Sequence, residues 1–344
     1  MKIFKGICRI VLAGLAAVAV LSGFMCVYKL NPVHHENPKG NTDYVWEANA
    51  PWVTMTEGIS WGRFDADGYN NKTVVKNPDV IVLGSSHMDS VNVFPDQAVP
   101  ALLTNMLKDR YTVYNYGISG HHLFKVCQYL PVNLSMHDAV PKVAVIETSS
   151  VRVTEEKVQQ MLNHEVDFTP SNAKGIIGKL QKVPFFRFMY HQVEAGLLDL
   201  FMNRTNAKAQ VGDEDVPEEI PDEAIDEKAY DELFQYLAKQ EKEFGTQIII
   251  FFHPKEILDD EKGITYNSGA AAETFAAYAQ KYGIDFIDLA ERFHEMYEKE
   301  HLAAHGFITG EIAAGHLNAN GHRAAAEEVC KIIDSLEKEG TICR

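Results

Sequence analysis

The sequence has little of what holds small disulfide-rich or zinc-bound domains together. Its 344 residues include only 5 cysteines, with no Cys-x-x-Cys pair, which excludes a disulfide scaffold and a cysteine-rich zinc module. Basic residues are also scarce, at 32 against 48 acidic ones, so the formal net charge is −16. Because nucleic-acid binding needs a basic surface, we expect no nucleic-acid partner. The remaining composition, 46% hydrophobic and 23% charged, is typical of a folded globular protein.

One long uncharged stretch lies at the N-terminus. Residues 10–28 carry no charged side chain and follow Lys2, Lys5 and Arg9. A helix of that length rises about 28 Å, close to the thickness of the hydrocarbon core of a bilayer. The sequence predicts an uncleaved single-pass anchor at residues 1–28 in a bacterial plasma membrane, with the N-terminus cytoplasmic and the rest extracytoplasmic. A cleaved signal peptide and an N-terminal helix buried in the domain are the alternatives.

The rest of the chain divides into three parts by composition. Residues 29–75 contain several prolines and glycines that break any periodicity, so we expect a linker and irregular segment there, with a polar turn at residues 65–68. Residues 76–340 are expected to form the main domain. An insertion at about 155–225 interrupts it, and the acidic tract at residues 213–232 is typical of a solvated mobile loop.

Strand and helix patterns alternate along the main domain. Short apolar runs predict five strands, at residues 80–83, 111–116, 143–146, 248–252 and 286–289. Between them lie helical stripes, such as Tyr230, Leu233, Phe234 and Leu237 at positions i, i+3, i+4 and i+7. This alternation predicts an α/β fold, a three-layer α/β/α sandwich around a five-stranded parallel sheet. Ligands of such sheets bind at the carboxyl ends of the strands.

Polar or glycine-rich motifs follow the first three predicted strands and precede the last helix. They are Gly84-Ser85-Ser86-His87, the stretch from Asn115 to Gly120, Glu147-Thr148-Ser149-Ser150, and Gly315-His316-Leu317-Asn318 with Asn320 as the expected helix cap. A serine in a strand-to-helix turn lies near backbone N–H groups that can stabilise negative charge. A histidine before the final helix is a candidate base for it. Each motif alone also fits an ordinary capping turn.

In this order the motifs resemble those of the SGNH/GDSL hydrolase superfamily, over residues 79 to about 338. The resemblance implies a flavodoxin-like sheet, with Ser86 as the nucleophile and His316 as its base. It also implies that the backbone N–H groups of Ser86 and Gly120, with Ser149, hold the oxyanion. The motifs are most similar to those of membrane-anchored envelope members, the D-alanyl-transfer proteins of teichoic acid modification and the alginate-type polysaccharide O-acetyltransferases. Such a reaction needs neither a metal nor an organic cofactor.

Two positions depart from the superfamily pattern. Ser149 stands where the third motif has an asparagine, and Ala313 stands where an aspartate orients the histidine. Glu311, or an acid from a distant loop, is the expected substitute for that aspartate. The alternative is a Ser86–His316 dyad without an orienting acid.

Three functions fit this resemblance. The first is acyl transfer onto an envelope polysaccharide or teichoic-acid-like polymer, with a multi-spanning membrane acyltransferase as partner. The second is a simple carboxylic ester hydrolase, which uses the same serine chemistry. The third is a non-catalytic scaffold or glycan-binding module, favoured by Ala313 and Ser149.

Overall fold

The structure is a computed structural model that describes residues 2–28, 32, 34–54, 57–166, 183, 185–186, 189, 225–259, 263–310 and 312–343. The N-terminal apolar helix is present as α1 (Lys2–Tyr28). Its segment Phe4–Cys26 is long and apolar enough to cross a membrane, with a mean hydropathy of 2.2, and 0% of its apolar window is buried. It is therefore not a core helix of the domain, although a signal sequence has the same features. Most of the expected insertion lies outside the described residues.

The segment after α1 is more regular than its prolines suggested. It forms two antiparallel hairpins, β1 (His34–Glu36) with β2 (Tyr44–Trp46), and β3 (Pro51–Thr54) with β4 (Ser60–Arg63). Proline is accepted here because Pro51 is the first residue of its strand.

Buried aromatic residues attach these hairpins to the domain. Trp52 and Phe64 are buried, and Trp46 stacks on Phe64 with ring centroids 5.0 Å apart. Tyr69 belongs to the same core as the central sheet. The expected polar turn is present, because Asp65 Oδ1 accepts hydrogen bonds from the backbone N–H groups of residues 67 and 69 at 2.9 and 3.0 Å. This segment is thus part of the packed structure, whereas the sequence suggested a linker.

The main domain is built on a parallel sheet. Its further strands are, in chain order, β5 (Val80–Leu83), β6 (Val113–Asn115), β7 (Val143–Thr148), β8 (Gln247–Phe252), β9 (Glu256–Asp259), β10 (Gly263–Tyr266), β11 (Asp285–Asp288), β12 (His305–Gly306) and β13 (Ile312–Leu317). Five of these form one sheet in the order β11-β8-β7-β5-β6, all parallel, and they are the five predicted strands. This is the flavodoxin-like order, whose switch point lies between β5 and β7.

Helices cover both faces of the sheet. They are α2 (Ser86–Asp89), α3 (Val99–Met106), α4 (Leu123–Ser135), α5 (Glu155–Leu162), α6 (Glu227–Phe244), α7 (Gly269–Tyr282), α8 (Ala290–Glu300) and α9 (Ala319–Lys338). Side chains alternate along a strand, so Ile81 and Leu83 pack with α4, α6 and α7, whereas Val80 and Val82 pack with α3, α8 and α9. The predicted three-layer α/β/α sandwich is confirmed.

The acidic tract ends in a helix rather than wholly in a loop. The Asp226 side chain accepts a hydrogen bond from the N–H of Ala229 at 3.2 Å and caps α6, which begins at Glu227. The Tyr230 stripe is buried, so the acidic residues occupy the outer face of this helix. The free energy gained by burying the apolar face of α6 outweighs the repulsion among the acidic residues that suggested a loop. Residues 213–224 of the tract lie outside the described residues.

Candidate active site

Ser86 and His316 lie in contact at the carboxyl edge of the sheet. Ser86 is the first residue of α2, directly after β5, and His316 is in β13. His316 Nε2 lies 2.7 Å from Ser86 Oγ, although the two residues are 230 positions apart. Both side chains are half-buried and so remain open to a substrate. The cap that follows is Asn318 rather than the expected Asn320, since its side chain accepts the Asn320 N–H at 2.9 Å and α9 begins at Ala319.

The carboxylate that orients His316 is Glu57, from the loop between β3 and β4. The Nδ1–H of His316 donates to Glu57 Oε2 at 2.6 Å, and the backbone N–H of His316 donates to Glu57 Oε1. Glu57 is 259 positions from His316, and no local motif marks it. The expected candidate Glu311 lies outside the described residues. Ala313, at the position of the superfamily's aspartate, is buried with φ of +62°.

Backbone shape makes room for the Glu57 carboxylate. Gly315 has φ of +78°, and a Cβ there would lie 2.0 Å from Glu57 Oε1. The Asn92 amide donates to the Glu57 carbonyl at 3.0 Å and holds the loop. Burial alone would raise the pKa of Glu57, but the hydrogen bond and charge of His316 outweigh it, so this pKa lies below its ordinary value. The carboxylate is therefore ionised at neutral pH.

This arrangement suits nucleophilic catalysis. The carboxylate only accepts hydrogen bonds, so the proton of a neutral His316 is on Nδ1 and the lone pair of Nε2 faces the Ser86 hydroxyl. His316 can then take the hydroxyl proton while Ser86 Oγ attacks a carbonyl carbon. The contacts are those of a serine, histidine and carboxylate triad, in the chain order Glu57, Ser86, His316.

The expected oxyanion donors are the backbone N–H groups of Ser86 and Gly120, with Ser149, and their role stays a prediction. The Ser86 N–H is the first of α2, and neither it nor the Gly120 N–H has a partner in the described part of the chain. Gly120 has φ of +83° in a turn where the His121 N–H donates to the Ile118 carbonyl at 3.1 Å. Ser149 follows β7 and is half-buried, with no bond to Ser86 or His316 among the described residues.

Asp89 joins the last turn of α2 to its surroundings. It is fully buried, accepts the Ser119 hydroxyl at 2.5 Å, and accepts the indole N–H of Trp46 at 3.0 and 3.1 Å. Burial raises the pKa of Asp89 to about 6, against the hydrogen bonds from Ser119 and Trp46, which lower it. Asp89 thus links Ser86 to the β1–β2 hairpin and to the Gly120 loop.

A second polar cluster is buried beneath the serine turn. Possible ligand atoms of His87, Glu147 and His253 lie within 4.8 Å of one another, close enough to hold a metal ion. However, the Leu317 N–H donates to His87 Nδ1 at 3.1 Å. A neutral His87 then carries its proton on Nε2 and has no free lone pair for a metal. Burial, with the charges of neighbouring histidines, keeps the pKa of His87 well below its ordinary value. These contacts favour a hydrogen-bonded cluster over a metal site.

No protein-family model matches the chain, and no curated protein matches its sequence. Similar solved structures include an acetyl xylan esterase, at 15% identity and a TM-score of 0.37, covering 74% of this chain and 99% of that one. A catalytic mutant of an acetylxylan esterase from Geobacillus stearothermophilus is 13% identical with a TM-score of 0.37, over 75% and 94%. An alpha/beta hydrolase from the metagenome of Lake Arreo, Spain, is 12% identical with a TM-score of 0.35, over 77% and 96%. At such low scores these likenesses decide neither fold nor activity.

Proposed function

We propose that this protein is a membrane-anchored, extracytoplasmic serine acyltransferase or esterase. Its substrates would be O-acyl groups of a cell-envelope polysaccharide or a teichoic-acid-like polymer. The observation that carries the proposal is the hydrogen-bonded series from Glu57 through His316 to Ser86, at 2.6 and 2.7 Å. The order of the motifs, which resembles the SGNH/GDSL superfamily, and the flavodoxin-like sheet support the same assignment.

The proposed reaction has two steps through a covalent intermediate. His316 Nε2 takes the Ser86 proton while Ser86 Oγ bonds to the acyl carbon. The tetrahedral intermediate then expels the donor oxygen, which receives the proton from His316, and leaves an acyl-serine. In the second step His316 deprotonates a polymer hydroxyl, or water, which attacks the acyl carbon. The bond to Ser86 Oγ then breaks, and Ser86 Oγ takes the proton back from His316 Nε2. Backbone donors at Ser86 and Gly120 would each lower the barrier by about 3 kcal/mol.

Glu57 weakens the case for a non-catalytic scaffold. Ala313 favoured that function because the superfamily's orienting aspartate was missing. In this structure the Glu57 carboxylate, from another segment of the chain, lies 2.6 Å from His316 Nδ1 and can orient the histidine in place of that aspartate. Such a carboxylate fixes the imidazole tautomer and stabilises the imidazolium, so the catalytic function is the better supported one.

The short segment between α1 and the first hairpin supports a site close to the membrane, as an envelope substrate requires. Residues 29–33 separate α1 from His34 and can span at most about 20 Å. The His34 ring lies 3.7 Å from the ring of Trp46, whose indole donates to Asp89, the last residue of α2. If α1 crosses the membrane, the site therefore lies near the membrane surface. This location suits a multi-spanning membrane acyltransferase as the partner that supplies acyl groups.

The test is a search for the acyl-serine. Full-length protein in nanodiscs would be treated with a fluorophosphonate probe and with p-nitrophenyl acetate, and peptide mass spectrometry would locate the adduct. We expect labelling at Ser86 and none in Ser86→Ala, while thermal unfolding of the two proteins stays similar. Adding a soluble glycan acceptor would separate transfer from hydrolysis. Wild-type protein that never reacts at Ser86 would contradict the enzyme function and favour the scaffold.

A further inference from the structure

The residue before the nucleophile is held by a carboxylate from another strand. The backbone N–H and the hydroxyl of Ser85 both donate to Glu147 Oε2, at 2.7 and 2.8 Å. The Ser85 hydroxyl oxygen also accepts the His87 N–H at 3.3 Å and so caps α2. Glu147, near the end of β7, thus fixes by two hydrogen bonds the turn that contains Ser86.

The Glu147 carboxylate is buried, and both of its oxygens have hydrogen-bond partners. The Glu147 side chain is 0% exposed, and its second oxygen lies 2.7 Å from His253 Nε2, directly after β8. Gly84 makes the approach possible, because a Cβ there would lie 2.5 Å from Glu147 Oε2. A buried carboxylate is costly unless it is hydrogen-bonded, so Glu147 must keep these partners.

The hydrogen bonds continue away from Ser86 and fix the tautomers. Because Glu147 accepts, a neutral His253 carries its proton on Nε2, and its Nδ1 accepts from His305 Nε2 at 3.4 Å. The ends of β5, β7 and β8 are joined by this series.

We infer that Glu147 is a positioning residue, which through Ser85 holds Ser86 Oγ in contact with His316 Nε2. The inference rests on the proposed function. A contact that holds this turn is needed because α2 has only 4 residues, too few to be stable without tertiary contacts. A displacement of about 1 Å at a reacting atom can lower a rate by about 100-fold.

The experiment compares Glu147→Gln with Glu147→Leu. A glutamine oxygen can accept both Ser85 bonds. Its NH₂ donates to His253 Nε2 once the His253 proton moves to Nδ1, where it donates to His305 Nε2, and the His305 proton moves to its own Nδ1. We expect Glu147→Gln to keep its rate of fluorophosphonate labelling within about threefold of wild type. A threefold change corresponds to less than about 1 kcal/mol of barrier. Glu147→Leu should lower the maximal labelling rate about 100-fold with little change in the probe's half-saturation concentration. Neither variant should move the pH profile of labelling, because His316 and Glu57 are unchanged.

The matched control is Glu241→Leu. Glu241 is a half-buried carboxylate that accepts the Ile248 N–H at 2.6 Å, near the amino end of β8 and so at the opposite edge of the sheet. Its loss removes a comparable group away from Ser86, and labelling should match wild type. Equal labelling of Glu147→Leu and wild type would overturn the inference, as would a Glu147→Gln rate as low as that of Glu147→Leu.

Ser85→Ala keeps the inference testable if Glu147→Leu does not fold. This variant removes only the hydroxyl bond, and labelling should fall on the order of tenfold with the half-saturation concentration unchanged. Labelling at the wild-type rate would overturn the inference. Absence of labelling in wild-type protein is a different result, since it would contradict the proposed function and this inference together.

Discussion

Replacing Glu57 with glutamine should remove most of the activity and leave the fold intact. The Glu57 carboxylate accepts two donors from His316, the backbone N–H and the ring Nδ1–H. If the glutamine oxygen keeps the backbone bond, its NH₂ meets Nδ1. The imidazole then moves its proton to Nε2, and no lone pair faces Ser86. In serine triads the change from carboxylate to amide lowers kcat about 10⁴-fold. That corresponds to about 5 kcal/mol of barrier.

Glu311→Gln is the control, because Glu311 is the nearby acid that the sequence offered as a substitute for the superfamily's missing aspartate. Rates of p-nitrophenyl acetate hydrolysis and of fluorophosphonate labelling would be measured for both variants, with thermal unfolding as the check on folding. Glu57→Gln should cost about 1 kcal/mol of stability, since one charge-assisted hydrogen bond is weakened. The reasoning is refuted if Glu57→Gln keeps more than about a tenth of the wild-type rate. It is equally refuted if Glu311→Gln loses as much activity.

Three further predictions concern neighbouring features. Gly315→Ala would place a Cβ 2.0 Å from Glu57 Oε1 at a φ of +78°, so kcat should fall about 100-fold and stability by about 1–3 kcal/mol; unchanged kinetics would contradict this. Burial raises the pKa of Asp89 to about 6 in the folded protein, so its contribution to stability is present below about pH 4 and is lost as the pH rises through 6. Asp89→Asn should therefore gain up to about 3 kcal/mol relative to wild type between pH 4 and pH 7 in urea unfolding, and a constant difference would be the contrary result. Deleting residues 2–28 should release the protein from the membrane, whereas mature protein lacking this segment would show that it is cleaved.

The strands, the layers and the Ser86–His316 pair could be read from the sequence because their signals are local. A strand covered on both faces is a short apolar run, and β5 has the predicted bounds, Val80–Leu83. Ser86 lies within a few residues of the end of β5, and His316, expected in a loop, lies in β13 within a few residues of the start of α9. Parallel strands end at one edge of the sheet, so the order of the motifs was enough to bring these two residues together.

Glu57 and Glu147 were decided by the tertiary structure. Glu57 lies in a segment whose prolines suggested a linker, 259 positions before His316 in the chain. Its contact with His316 depends on how the two hairpins of that segment pack against the domain. Glu147 looked like part of a polar cluster at a strand end, and only its burial against Ser85 and His253 shows what it holds. Local sequence records which face of an element is apolar and where the chain turns. The partner of a single carboxylate is set by the packing of segments distant in the chain, which leaves no periodic pattern to read.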